Sequence, residues 1–237
     1  MPDMDEIISS PSPNFDERTS PVSILVLHYT GMGDAAQAIA WLRNPDSQVS
    51  SHYVVAEDGQ ILQLVDEARR AWHAGKSSWR DVTANVNSAS VGIEIVNPGH
   101  EFGYRPFPGA QMDALIPLVA GIVSRHGIAP ANVVGHSDIA PARKQDPGEL
   151  FDWQALAARG LAVSRPTRAT MDPHWTDGGF LLALNRYGYD VEDGPAAARA
   201  FQRRFRPENV DGVIDGQCRA ILLSLLLDRE RKAARPA

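Results

Sequence analysis

Two of the seven histidines in this 237-residue chain stand apart by position. His28 directly follows the apolar run Val22 to Leu27, and His136 follows Asn132 to Val134 and Gly135. Both runs read as short strands, so each imidazole emerges at a strand end, where α/β proteins tend to display binding groups. Ten residues after His136 comes Asp146, in the segment His136-Ser137-Asp138-Ile139-Ala140-Pro141-Ala142-Arg143-Lys144-Gln145-Asp146-Pro147-Gly148. Pro141, Pro147 and Gly148 exclude a single helix here, so the segment is a loop free to fold back on the strand end. Two histidines and one carboxylate make a three-ligand set that leaves the fourth position of a zinc ion open for water. Coordination brings the pKa of such a water to about 7, a usable nucleophile at neutral pH. Asp138 is a rival third ligand, although a residue two past His136 more naturally hydrogen-bonds backbone in a turn. A His-Glu-x-x-His helix, which would point to zinc far more strongly, is absent.

Glu94 is a lone carboxylate inside Val91-Gly92-Ile93-Glu94-Ile95-Val96. It is either a solvent-facing alternate residue or a buried acid, which without a partner costs several kcal/mol. Held beside an activated water it would be a general base. Lys144, two residues before Asp146, can bring an ammonium to a developing oxyanion; taken alone it reads as an ordinary exposed lysine. His52, in Ser51-His52-Tyr53, and His73, in Trp72-His73-Ala74-Gly75, either line a cleft or pack in the core. His100, His126 and His174 fall in a loop, at a helix end and near a connector, and carry no chemistry by spacing.

The elements that must position these groups alternate between strand and helix. Asp34 caps a helix through Leu42 that stops at Asn44-Pro45. His52 to Val55 and Ile61 to Val65 flank Glu57-Asp58-Gly59-Gln60 as a hairpin, and Val91 to Val96 is a strand ended by Asn97-Pro98-Gly99. Gln111 to His126 has helical spacing with a Gly127 stop and Pro117 as a candidate kink. This interleaving predicts an α/β sheet with helices packed on it. Farther on, Asp177 to Tyr187, Pro195 to Phe205 and Gly216 to Leu227 read as three short helices, and Asp228 to Ala237 as a charged, frayed tail.

Composition narrows the classes. Hydrophobic residues at 43% and charged residues at 22% describe a globular chain, and a net charge of −6 argues against nucleic acid as the main partner. The single Cys218 excludes an internal disulfide framework. No apolar run approaches the ~20 residues of a membrane span. Met1 to Ser20 is acidic and polar and lacks the pattern of a signal peptide, so the protein is expected in the cytoplasm, or in the periplasm if the N-terminus has been trimmed. Residues 1–160 carry 11 Lys+Arg against 19 Asp+Glu, a balance of −8; residues 161–237 carry 12 against 10, a balance of +2. That break coincides with the polar connector Val163 to Thr170. It divides the chain into an N-terminal arm (1–20), a first domain (21–162), a linker (163–174), a helical domain (175–228) and a tail (229–237).

Five segments occur in order: Val26-Leu27-His28-Tyr29-Thr30, Ser51-His52-Tyr53-Val54-Val55, Ala71-Trp72-His73-Ala74-Gly75, Val91-Gly92-Ile93-Glu94-Ile95 and Gly135 to Gly148. Together, over about residues 20–160, the series resembles the zinc-dependent N-acetylmuramoyl-L-alanine amidases of the AmpD and AmiD type, relatives of T7 lysozyme and the peptidoglycan recognition proteins. The resemblance implies a mixed central sheet flanked by helices. It implies Zn2+ held by His28, His136 and Asp146, with Glu94 and Lys144 acting on the amide between the lactyl group of N-acetylmuramic acid and L-alanine. It further implies a substrate groove with His73, Tyr29 and Asn97, and peptidoglycan fragments or muropeptides as partners. Residues 175–227, with Ala200 to Pro207 and Val210 to Gly216, resemble the small three-helix peptidoglycan-binding domain. Two departures stand out: exported AmiD-type enzymes carry a lipoprotein signal, and AmpD members often have Arg-Cys-Asn where this chain has Asn85-Val86-Asn87. The competing reading is a non-catalytic recognition module of the same fold; such modules usually lack a zinc ligand, whereas all three are present here. A wall peptidase would want a His-Glu-x-x-His or His-x-His motif, a serine hydrolase G-x-S-x-G, and neither is found.

Overall fold

The computed structural model describes residues 7–234. Its centre is a six-stranded sheet in the order β1-β5-β4-β7-β3-β8, formed by Ile7–Ser9, Ile61–Gln63, Tyr53–Val55, Ser90–Ile95, Ile24–Tyr29 and Val133–Gly135. Only β4 and β5, the hairpin read from Glu57 to Gln60, pair antiparallel; the other neighbours are parallel. The sheet is therefore mixed and flanked by helices, as the sequence predicted. A small antiparallel ribbon of β2 (Phe15–Glu17) and β6 (Arg69–Ala71) lies beside it. Residues 7–17 of the expected N-terminal arm are thus not free of the fold: β1 adds the edge strand beside β5, and β2 completes the ribbon. Residues 1–6 lie outside the described residues.

Alternation along the strands sends side chains into separate cores. Leu25 and Leu27 of β3, Val91, Ile93 and Ile95 of β7, and Tyr53 and Val55 of β4 point to one face. There they meet Leu115, Val119 and Ile122 of the long helix Gly109–His126. That helix keeps its expected Gly127 stop in a left-handed conformation, with Pro117 inside it. Buried Gln111 ties it to the sheet by donating to the carbonyls of Val55 and Val96.

The opposite face is covered in two separate pieces. At the β4/β5 end, Val54 and Leu62 pack under helix α1 (Ala35–Arg43), which Asp34 caps by accepting from the Gln37 N–H. At the β3/β8 end, Ile24, Val26 and Val134 share a core with Phe180, Phe201 and Leu222. These come from the three C-terminal helices Asp177–Tyr187, Gly194–Phe205 and Gly216–Ala233. Between the two pieces lies a cavity whose wall includes His28 and Glu94, with the His73 ring packed over Gly92 beside them.

The last helix runs to Ala233, five residues past the predicted start of the charged tail. Its Arg, Glu and Lys residues are good helix formers, and Asp228 pairs with Arg231 at 2.7 Å, three residues on. The connector before the helices has no regular structure, yet it is tied down: Asp172 pairs with Arg219 at 2.7 Å and the Thr170 N–H donates to Ser224.

The fully buried Ile93 at the centre of β7 sets the scale of the core. Ile93→Ala is expected to cost about 2–5 kcal/mol, seen as a lower urea midpoint at an unchanged denaturant slope.

Candidate active site

His28 and Glu94 are register partners on the adjacent parallel strands β3 and β7, so both side chains leave the same face of the sheet side by side. His136 opens a one-turn helix, His136–Ile139, at the end of β8, the strand on the other side of β3. The loop that follows folds back: the Ser137 N–H donates to the carbonyl of Asp146 at 2.9 Å, which closes the ten-residue span. Gly135 permits this, because a Cβ there would stand 2.6 Å from Pro147 Cδ.

The result is a convergence of three donors. His28 Nδ1 and His136 Nδ1 are 2.9 Å apart, and Asp146 Oδ2 lies 3.0 Å from the first and 3.1 Å from the second. All three residues are buried. Among the described residues this is the group of three whose ligand atoms converge in this way.

The hydrogen bonds behind the rings decide what those atoms are. Ser90 donates its hydroxyl proton to the Val86 carbonyl at 2.6 Å, so its oxygen accepts from His73 Nε2–H at 3.2 Å. His73 Nδ1 is then an acceptor, and it takes the Nε2–H of His28 at 3.0 Å. His28 is left with a lone pair on Nδ1, facing the site. His136 donates Nε2–H to the Ala74 carbonyl at 3.2 Å, which leaves its Nδ1 unprotonated as well. Burial, and then neighbouring His136, pull His28 down to about 4, so it is neutral at physiological pH. Asp146 Oδ2 completes the set as an acceptor-only carboxylate oxygen facing both rings.

In this hydrogen-bond pattern two imidazole lone pairs and a carboxylate oxygen converge on one point. Four-coordinate zinc with bonds of about 2.0–2.1 Å separates its ligands by roughly 3.3 Å, and the three donors sit within a few tenths of that. Their chemistry, geometry and protonation fit a zinc ion.

The donors face a cavity of about 410 Å³, with Glu94, Lys144 and Tyr29 in its wall together with Trp41 and Trp72. A second cavity of about 460 Å³ shares Trp72, His73, Arg143 and Lys144 and continues the groove. Glu94 Oε2 is buried without a hydrogen-bond partner. Burial, and then the charge of Asp146, push the Glu94 carboxyl well above its ordinary range, while Lys144 pulls the other way.

The structure therefore brings His28, His136, Asp146, Glu94, Lys144 and Tyr29 to one cavity. Tyr29 shares its hydroxyl with His100 Nδ1 at 3.0 Å, and burial pushes its phenol up to about 12. Two expected groove residues do other work. His73 touches the cavity wall, but both its nitrogens are committed to His28 and Ser90, so it orients a ligand from behind. Asn97 does not reach the cavity; it donates to the Arg105 carbonyl and accepts from the Gly99 N–H, holding the turn after β7. Asp138, the rival ligand, accepts from the Gly135 N–H at 2.8 Å as a turn residue should. His52 is fully buried and accepts from the Gly92 N–H. The role of His73 had one signal in the sequence, Gly92 inside a strand, which marks a close approach: a Cβ there would stand 2.5 Å from His73 Cγ.

Known proteins resemble this chain along most of its length. The N-acetylmuramoyl-L-alanine amidase family model (Amidase_2) matches residues 18–149. N-acetylmuramoyl-L-alanine amidase AmiD of Escherichia coli K12 is 42% identical over 231 residues, covering 86% of this chain and 82% of that protein. Its solved complex with anhydro-N-acetylmuramic acid-L-Ala-D-gamma-Glu-L-Lys superposes with a TM-score of 0.77 at 36% identity, over 92% of this chain and 98% of the other. AmpDh3 of Pseudomonas aeruginosa superposes with a TM-score of 0.76 at 35% identity, over 88% and 92%.

Two outcomes test the site's electrostatics. Ser90→Ala and His73→Phe are expected to weaken Zn2+ binding roughly 10–100-fold, the usual worth of groups that orient a metal ligand, read by chelator competition. Glu94→Gln should stabilise the metal-free protein at pH 8 and not at pH 4. A carboxyl whose folded pKa is raised loses stability as pH climbs from its unfolded value, and the amide does not titrate. A few degrees are expected in a thermal melt, since about 1 kcal/mol moves Tm by roughly 2–4 °C at this size.

Proposed function

The chain belongs to the N-acetylmuramoyl-L-alanine amidase family, and from that premise we propose that it is a zinc-dependent hydrolase of muropeptides. The bond cut is the amide between the lactyl group of N-acetylmuramic acid, or its 1,6-anhydro form, and the L-alanine of the stem peptide. One observation carries the metal dependence: the hydrogen bonds behind His28 and His136 leave both Nδ1 atoms as lone pairs, converging with Asp146 Oδ2 on one point of the groove. The substrate class is supported by the likeness to the AmiD complex, whose ligand is an anhydro-muramyl tripeptide.

A zinc ion held by His28, His136 and Asp146 supplies a lowered pKa to a water and polarisation to the scissile carbonyl. Glu94, at the register position beside His28, takes the proton of the attacking water on its carboxylate. Its raised pKa suits the return step, in which the protonated acid passes that proton to the departing L-alanine nitrogen. Lys144 lines the same cavity and donates from its ammonium to the oxyanion that forms on the lactyl carbonyl. Tyr29, fixed through His100, lines the wall against which the substrate rests. In this reading residues 21–162 perform the hydrolysis, and residues 175–228 are the part that resembles a peptidoglycan-binding domain. The work is peptidoglycan turnover or recycling.

Purified protein incubated with anhydro- and reducing-end N-acetylmuramyl peptides, with and without chelator, tests the reading by mass spectrometry. Release of stem peptide beginning at L-alanine, lost on chelation and restored by Zn2+, is expected. Glu94→Ala should retain zinc and lose roughly two to four orders of magnitude in turnover, the usual worth of general acid–base catalysis; near wild-type turnover would remove Glu94 from the mechanism. Asp146→Asn should lose zinc as well. Equimolar zinc with no release from any muropeptide would turn the protein into a recognition module. The ratio of release from soluble muropeptides to release from intact sacculi separates recycling from wall turnover.

A further inference from the structure

We infer that two consecutive arginines of the second C-terminal helix, Arg203 and Arg204, are positioning residues that clamp both ends of the loop carrying His136 and Asp146. The inference rests on those two residues being metal ligands.

Arg204 grips the first end. It is buried, and its Nη1 donates to Asp138 Oδ2 at 2.6 Å. The same Oδ2 accepts from the Gly135 N–H, so this carboxylate joins the arginine to the residue immediately before His136. Tyr189, just past the first C-terminal helix, donates its hydroxyl to Asp138 Oδ1 at 2.5 Å. Arg204 Nη2 donates to the carbonyls of Val133 in β8 and Val163 in the connector, and the guanidinium lies 3.9 Å from the Trp153 ring centroid. Arg204 thus binds β8, the turn that aims His136 and the exit from the first domain through one rigid fork.

Arg203 grips the other end. Its Nη2 donates to Gln145 Oε1 at 3.1 Å, one residue before Asp146. Its Nε lies 3.9 Å from Glu149 Oε2, and Glu149 in turn meets His100, the residue that holds Tyr29. Successive residues on a helix point about 100° apart, which is what lets one helix reach two places on the same loop. The loop's own Ser137–Asp146 bond closes the span, but Pro141, Pro147 and Gly148 deny it a continuous hydrogen-bonded ladder, and the helix adds holds at both ends.

The test uses the full-length chain. Tyr189→Phe keeps the ring and removes one bond to Asp138, Arg204→Lys keeps the charge and loses the fork, and Arg203→Met frees Gln145. Leu222→Ala, a cavity in the core of the C-terminal helices that removes no hydrogen bond to the loop, serves as the comparison for lost stability. Two quantities are read for each: NMR amide exchange at Gly135 and Ser137 in metal-free protein, and Zn2+ affinity by chelator competition. The clamp is supported if Tyr189→Phe and Arg204→Lys speed exchange at both amides and weaken Zn2+ binding roughly tenfold or more, Arg203→Met weakens binding, and Leu222→Ala does neither. It is overturned if exchange is unchanged in Tyr189→Phe and Arg204→Lys, if faster exchange leaves Zn2+ affinity untouched, or if Leu222→Ala reproduces both effects. Should wild type bind no Zn2+ while loop exchange still answers to these variants, the hold on the loop stands and the metal reading falls.

Discussion

Three electron-rich atoms held about 3 Å apart in a buried corner repel one another unless a cation lies among them. In this protein the donors cannot relieve the repulsion by taking up a proton cheaply. Each imidazole already gives its single N–H to a partner on its far side, His73 for His28 and the Ala74 carbonyl for His136. For His28, burial disfavours adding a second. The surrounding architecture orients the three donors: Ser90 and His73 stand behind one ring, the Ala74 carbonyl behind the other, and the looped-back Asp146 is the third corner.

The sheet accommodates these donors by dividing its two faces. One face is sealed continuously by the long helix over Leu25, Leu27, Ile93 and Ile95, and supplies the rigidity. The other is sealed only at its ends, by α1 on one side and the C-terminal helices on the other, and the gap between them is the groove. Glu94 pays the electrostatic price of lying in that gap. Its buried, unpartnered oxygen is a cost to the fold, and its pairing in register with His28 fixes the separation of the two side chains without any loop.

The C-terminal helices are bound to this site by more than proximity. Their aromatic residues share a hydrophobic core with the strands that carry His28 and His136. The buried Arg204–Asp138 pair contributes geometry more than stability, because desolvating both charges offsets most of their attraction. What it secures is a single arrangement of the turn in front of His136. A helical unit read from sequence as a separate glycan-binding appendage is, in the folded chain, also a wall of the site's supporting structure.

The sequence by itself determined the elements and the chemistry. Short apolar runs located the strands at His28 and before His136, helical spacing located the Asp34-capped helix and the long helix stopped by Gly127, and the spacing of two histidines and an aspartate offered a three-ligand set. These are local signals, written in neighbours within a few residues. The tertiary structure alone decided that His73 backs His28 at the edge of the cavity, that Asn97 serves a turn, that residues 7–17 join the sheets and that Asp138 binds Arg204. Apart from the Asn97 turn, which spans eight residues, each depends on residues 17 to more than 60 positions apart meeting across a sheet or between a loop and a helix. No periodicity records such a meeting, because a hydrogen bond's partner is fixed by where the chain returns in space and not by what precedes it in sequence.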